Sequence, residues 1–288
     1  MEFNLQKYQA FVKTIEYGSF TKAAEILNYS QSGISRMIGD LEREWDLTLL
    51  ERGRGGVWLT SQGKALLPFI QSLCREFENL QMQVDELSGM QTGLIRIATF
   101  SSIATHWLPN IITRFQRDYP HIDYELLMGN YEEIEEWVLE GKADCGFLPL
   151  PVSPSLETIH LSSDELVVTL PENHPMALAE SFPPEALCRY PFILAKTGKR
   201  IDADEIFRCH HVKPNIRCST FDDYAIMSMV ESGLGISILP SLILKRSPYR
   251  IVAKPLSTPA YRELALVLRS KKTATLAVKR FLDYLKFR

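Results

Sequence analysis

The sequence lacks any stretch that would export it or hold it in a bilayer. Its opening residues, Met1-Glu2-Phe3-Asn4-Leu5-Gln6-Lys7, show no basic run followed by an apolar block, so no signal peptide is read there. No apolar run approaches the roughly 18 to 20 residues a spanning helix needs. Ile236 to Leu244, among the longest, is broken by Pro240. Cysteine is sparse: Cys74, Cys145, Cys188, Cys209 and Cys218 are odd in number and irregular in spacing, with no CxxC. Free thiols in a reducing compartment, hence a cytoplasmic protein, are expected. An excess of either charge is missing too, with 32 Lys and Arg against 35 Asp and Glu. Bulk charge therefore advertises neither nucleic acid nor an acidic membrane. GxSxG, P-loop and HExxH motifs are absent, and Gly233-Leu234-Gly235 lacks the third glycine of a dinucleotide fingerprint. Ser101 or Ser102 as a nucleophile has no identifiable base, so no enzyme is expected. What remains is a globular composition, 45% hydrophobic and 23% charged, over 288 residues. That length suits about two domains.

The first part reads as closely spaced helices. Leu5, Tyr8, Phe11, Val12 and Ile15 share one stripe. Gly18 ends that helix and Thr21 can cap a second carrying Ala23, Ala24, Ile26 and Leu27. Ser30 caps a third with Ile34, Ile38 and Leu41. Leu49 to Arg52 and Val57 to Thr60 then form a small hairpin around Gly53-Arg54-Gly55-Gly56. Next, Leu66, Ile70, Leu73, Phe77, Leu80, Val84 and Leu87 are spaced alternately by four and three residues. Their mean period of 3.5 is that of a coiled-coil seam, so these seven residues are expected to dimerise the chain. A surface helix packed on its own domain, with period 3.6, is the alternative. Pro68 is a local cost to the first turns, where a proline can kink a helix.

From Gly93 onward strands and helices alternate. Strands are expected at 94–100, 122–128, 144–148, 166–170, 192–195, 216–219, 236–239 and 264–268, with helices at 111–119, 131–140, 222–231 and 276–285. This rhythm predicts a mostly parallel sheet, in two small α/β lobes.

On a wheel of the third helix, Ile34, Met37, Ile38 and Leu41 take one side. Ser32, Ser35, Arg36, Gly39 and Arg43 take the other. Small hydroxylated residues let a helix sit deep in a major groove, where arginine pairs with guanine. The helix start at Ser30 offers backbone N–H groups to phosphate. Arg52 and Arg54 on the hairpin make this a winged helix-turn-helix. Packing of that face on another protein element is the competing explanation. Through Lys64 the basic and acidic residues number eight each. The positive charge that matters is therefore Arg36, Arg43, Arg52 and Arg54 gathered on one face and doubled by dimerisation.

Gly18-Ser19-Phe20-Thr21-Lys22-Ala23-Ala24-Glu25, Ser30-Gln31-Ser32-Gly33-Ile34-Ser35-Arg36, Leu41-Glu42, Leu49-Leu50-Glu51-Arg52 and Leu59-Thr60-Ser61-Gln62-Gly63 closely resemble the DNA-binding region of LysR-type transcriptional regulators. The segment from Glu231 to Pro240 resembles the same family, and the likeness covers the whole chain. Departures are Ser32, where the family often has proline, Gly39, where it has a longer side chain, and the slight Gly55-Gly56 tip. The resemblance implies an α plus α/β architecture. Residues 1–60 would be a winged helix binding operator DNA, with Gln31, Ser32, Ser35 and Arg36 on its recognition helix. Residues 61–90 would be the dimerising linker helix. Residues 91–288 would be a two-lobed effector domain like a periplasmic binding protein, lobe I at 91–163 and 268–288 and lobe II at 164–267. Homodimers or homotetramers are implied, with RNA polymerase a further partner if the regulator activates.

The effector site should lie at the strand ends between the lobes. Ser101-Ser102 and Thr220-Phe221-Asp222-Asp223 would each open a helix there. Two such N-termini suit an anion, most simply a carboxylate, although plain capping explains each alone. By resemblance Asn130, Phe147 and Thr197 also fall near the ligand. Asp222 and Asp223 would disfavour a carboxylate if they faced the cleft, and are expected to serve the first helical turn instead. No cofactor beyond the small-molecule effector is expected. A redox or metal response through Cys209 and Cys218, near His210 and His211, is the weaker alternative, because the spacing matches no standard zinc pattern.

Overall fold

The computed structural model describes residues 4–53, 56–87, 93–196 and 198–288. Arg54 and Thr197 lie outside the described residues, as do the side chains of Arg52 and Leu87. The chain divides into two compact units, the first essentially residues 1–90 and the second most of the remainder.

In the first unit α1 spans Leu5–Glu16, α2 Phe20–Leu27 and α3 Gln31–Trp45. Ser19, rather than Thr21, caps α2, its hydroxyl accepting from the Lys22 amide. Asn28 closes α2 in the left-handed region at φ 55°, a conformation asparagine tolerates well. Ser30 caps α3 by accepting from the Gly33 amide at 3.0 Å. Phe11, Ala23, Ile34, Ile38, Leu41 and Leu49 are wholly buried and form the core. Leu50–Gly53 (β1) and Gly56–Leu59 (β2) pair antiparallel as the hairpin.

A single helix, α4, runs from Ser61 to Leu87 with Pro68 inside it. Thr60 starts it, its hydroxyl accepting from the Gly63 amide and donating to the Thr48 carbonyl. The seven-residue seam is not uniform. Ile70 is 5% exposed and packs into the winged-helix core, joined by Cys74 and partly by Leu66. Three short helices and a hairpin cannot close their own core, so the start of α4 covers it against α1 and β2. Leu66 and Ile70 are thereby removed from the set available to a partner. Leu73, Phe77, Leu80 and Val84 remain exposed, and Phe69, outside the repeat, is more exposed than any of these four at 73%.

The second unit begins with β3 (Gly93–Thr99), α5 (Ser101–His106), α6 (Leu108–Asp118), β4 (Ile122–Met128), α7 (Tyr131–Leu139) and β5 (Cys145–Pro149). The long β6 (Glu157–Pro171) leads to β7 (Pro191–Ala195), α8 (Asp204–Cys209), β8 (Asn215–Thr220), α9 (Asp223–Glu231), β9 (Ser237–Pro240) and α10 (Ser241–Leu244). The longer β10 (Ile251–Leu268) returns to α11 (Leu276–Leu282).

The main sheet has the order β4-β3-β5-β10-β6-β9, and β7 pairs with β8 separately. The sheet is less parallel than the alternating pattern predicts. β3 pairs parallel with β4 and β5, but β10 runs antiparallel to β5 and β6, and β6 antiparallel to β9. The reason is that β6 and β10 are return strands, each passing from one lobe into the other. Leu161, Leu264 and Leu266 join the lobe I core around Phe115 and Phe281. Leu166, Val168 and Leu256 of the same two strands join the lobe II core around Phe182 and Phe192.

Ile70→Ala is expected to lower the stability of the first unit by about 2–5 kcal/mol, since it empties a buried site that α4 cannot close. Because the loss falls within one chain's own core, urea unfolding at two protein concentrations should return the same value.

Candidate functional site

The residues expected to act fall on two surfaces, one in each unit. On α3 the buried stripe Ile34, Ile38 and Leu41 fixes which face turns outward. Ser30, Gln31, Ser32 and Arg36 are exposed there, Arg43 keeps most of its side chain in solvent, and Ser35 is partly exposed. The Ser30 and Ser32 hydroxyls stand 3.1 Å apart. Arg43 is held by Asp40 on its own helix at 3.0 Å, whereas Arg36 makes no ion pair among the described residues. Glu42, whose role the motif alone does not disclose, accepts from the Leu49 and Leu50 amides at 2.7 and 3.0 Å. One carboxylate oxygen thus fixes the start of the hairpin to α3.

In the second unit a cavity of about 530 Å³ opens between the strand ends of the two lobes. Of the residues expected near an effector, Ser101, Asn130 and Phe221 line it. Asn130 also forms a reciprocal pair with Glu133 that starts α7: its Oδ1 accepts from the Glu133 amide, and its own amide donates to the Glu133 carboxylate. Three expectations need correction. Phe147 is 1% exposed and belongs to the lobe I core, because its strand is covered on both faces. Ser102 is equally buried, and its hydroxyl accepts from Arg262 rather than facing a ligand. Thr220 does not reach the cavity wall, and its hydroxyl accepts from the Asp222 amide at 3.3 Å.

The two aspartates at the start of α9 divide their work. Asp222 caps the helix, accepting from the Tyr224 and Ala225 amides at 2.9 and 3.2 Å. Those N–H groups are therefore not free for a ligand anion. Asp223, one residue further round the helix, is in the cavity wall instead of serving the turn. It makes no side-chain hydrogen bond or ion pair among the described residues. Burial pushes its carboxyl up to about 6 against the pull of Arg262, with Asp202, Asp222 and Asp164 pushing the same way.

Arg262, on β10 at the cavity floor, is the group that sequence reasoning missed. Its Nε and Nη2 donate to Asp164 Oδ2 at 3.0 and 2.8 Å. Nη1 donates to the Tyr131 hydroxyl at 2.8 Å and Asp202 Oδ2 at 3.2 Å, and Nη2 also donates to Ser102 at 3.0 Å. All five guanidinium N–H groups are thus engaged. Its charge lies 5.2 Å from the Phe100 ring. Asp164 is equally occupied, its other oxygen accepting from Ser241 and the Leu242 amide. The sequence shows only that Arg262 and Asp164 each stand shortly before an apolar run; the β10–β6 register is what sets them opposite each other.

All five cysteines are free. Cys74 and Cys145 are buried and burial raises both thiols, Cys74 to about 11. Cys209 is exposed at the end of α8, and Cys218 on β8 donates to the Met229 sulfur at 3.6 Å. Among the described residues no group of His, Cys, Asp and Glu is arranged to hold a metal ion. Nor is any described helix long and apolar enough to cross a membrane.

Two family models match: the bacterial regulatory helix-turn-helix of the lysR family over residues 5–64, and the LysR substrate binding domain over residues 88–288. The chain belongs to the LysR family of transcriptional regulators. It is 33% identical to the probable HTH-type transcriptional regulator LrrA of Synechococcus elongatus, over 98% of this chain and 96% of that one. It is 30% identical to the uncharacterized HTH-type regulator YvbU of Bacillus subtilis, over 98% and 97%. Among solved structures, a full-length OxyR variant from Pseudomonas aeruginosa superposes with a TM-score of 0.78 at 22% identity, covering 99% of this chain and 95% of that one. CbnR complexed with its target DNA gives 0.73 at 21%, covering 99% of both chains. These structural likenesses speak for the fold. As a LysR-family regulator, the chain joins a DNA-binding helix-turn-helix to an effector-binding domain.

Arg262→Gln is expected to destabilise the second unit by about 3–5 kcal/mol, because it strands two carboxylates that are paired now. Asp223 should act in the opposite sense. Its carboxyl is raised in the folded chain, so it is stability-neutral below about pH 4 and costs stability as pH rises through about 6. Asp223→Asn should therefore stabilise the protein at pH 7.5 by up to about 2 kcal/mol, allowing for screening in an open cavity, and by about a third of that at pH 4.5. Thermal unfolding of both variants across that range checks both.

Proposed function

We propose that the chain is a cytoplasmic regulator that grips operator DNA as a dimer or tetramer and adjusts that grip to a small molecule held in the cleft. The observation that carries this is the outward face of α3, small, hydroxylated and bearing Arg36 without an ion-pair partner among the described residues. Arg36 and Gln31 would read base edges, while Ser30, Ser32 and Ser35 would meet phosphates and bases near the helix start. Arg43, already shared with Asp40, suits a phosphate better than a base. Arg52 and Arg54 on the hairpin would follow the backbone or the minor groove.

Leu73, Phe77, Leu80 and Val84, together with Phe69, present an apolar face that a second α4 would cover. Dimerisation would also double the local positive charge of a DNA-binding unit that is neutral overall. The cavity is assigned to ligand binding and not to turnover, in keeping with relatives described as transcriptional regulators. The ligand must favour one arrangement of the oligomer to change the contacts with DNA. RNA polymerase is the further partner if the regulator activates.

A gel-shift series on the chain's own upstream DNA tests the reading. The wild type should prefer that DNA to random sequence at moderate salt. Arg36→Ala should reduce the preference by about 1–3 kcal/mol while leaving non-specific binding nearly unchanged. Leu80→Glu should yield monomers by sedimentation and lose the preference with them. Equal binding to operator and random DNA by the wild type would refute the proposal.

A further inference from the structure

The cavity is lined by charges of both signs, and which of them a ligand can use follows from their existing bonds. Arg262 is the obvious receptor for an anion, but its five donors are all taken and two carboxylates balance its charge. A ligand carboxylate could reach it only by displacing Asp164, Asp202, Tyr131 or Ser102. Asp202 likewise accepts from both Arg262 and the Tyr131 hydroxyl. Glu133 accepts from the Asn130 amide. The cation left is Lys196, which is exposed at the cavity edge and screened by water. The anion left is Asp223, set in the wall with no partner among the described residues.

A carboxylate in such a place is costly to keep ionised. Burial and three neighbouring carboxylates oppose its charge, and Arg262 only partly offsets them. A group that arrives with a positive charge and N–H donors relieves that cost on binding. A group that arrives with a negative charge adds to it. Phe100, Phe192, Leu194, Phe221 and Ile238 supply apolar wall for a hydrocarbon body.

We propose that Asp223 is the receptor for a protonated amino group, so that the cleft takes a small organic amine with an apolar body and not a simple carboxylate. The proposal rests on the cleft being the effector site. It replaces the expectation of an anionic ligand: the Tyr224 and Ala225 N–H groups that would have bound an anion are taken by Asp222, and Asp223 lines the cavity beside them in sequence.

Two probes of similar length and opposite charge test it: 2-phenylethylamine and 3-phenylpropionate, each titrated to about 10 mM against the full chain with Tm as the readout. The amine should raise Tm in a concentration-dependent way and the carboxylate should not. Asp223→Asn, nearly isosteric, should weaken the amine at least about tenfold, as loss of a charge-assisted hydrogen bond does. No shift with the amine, or an equal shift in Asp223→Asn, overturns the proposal. Ser101→Phe, which puts a ring into the cavity, separates the two readings. If the carboxylate alone binds and Ser101→Phe abolishes it, the amine inference falls and the cleft remains the ligand site. If binding of either probe survives Ser101→Phe, the assignment of the cleft falls as well.

Discussion

The second unit depends on one buried ion pair. Arg262 and Asp164 face each other on β10 and β6, the two strands that pass through both lobes. From that crossing Arg262 reaches Ser102 on α5, Tyr131 on α7 and Asp202 ahead of α8. Three segments from different parts of the chain are thereby tied to one side chain. Such a pair need add little net stability, since withdrawing both charges from water offsets most of their attraction. Its contribution is positional: five N–H donors are met at once by side chains from four different parts of the chain. Ser102, Tyr131, Asp164 and Asp202 are thereby gathered at the cavity floor around one guanidinium.

The first unit solves a different problem with its longest helix. The winged helix is too small to bury its own core, and the opening turns of α4 complete it through Ile70, Cys74 and Leu66. Further along, the same helix turns apolar side chains to solvent. A period of 3.5 residues reads as one uninterrupted seam, but the helix hands its stripe from a partner within the chain to open solvent.

The local layers of this structure were legible because local chemistry dictates them. Ser30 before a run with Ile34, Ile38 and Leu41 spells a capped amphipathic helix, and the face opposite that stripe could be named residue by residue. Lobe I strands and helices follow the same logic. The non-local layers were not legible. The first half of β10 contains Pro255 and Pro259 and alternates irregularly between exposed and buried residues, so nothing in it announces a strand paired with 157–171. Without that pairing Arg262 and Asp164 are two isolated charges. Asp222 and Asp223 pose the same difficulty on a smaller scale. Adjacent carboxylates on a first turn differ by about 100° of rotation, and only the position of lobe I decides which one faces the cavity. Phe147 misled for the converse reason: a strand residue near the lobe crossing can point into a core as readily as into a cleft.

Glu42 carries a consequence of its own. By accepting from both Leu49 and Leu50 with one oxygen, it ties the foot of the hairpin to α3, as the pivot of a caliper joins its two jaws. A caliper measures as well as grips. DNA whose grooves are narrower or wider than the gap between the jaws must deform before helix and hairpin can both seat, and the energy of deformation depends on base steps that neither of them touches. Were both to seat on DNA, groove width would enter recognition alongside the base edges.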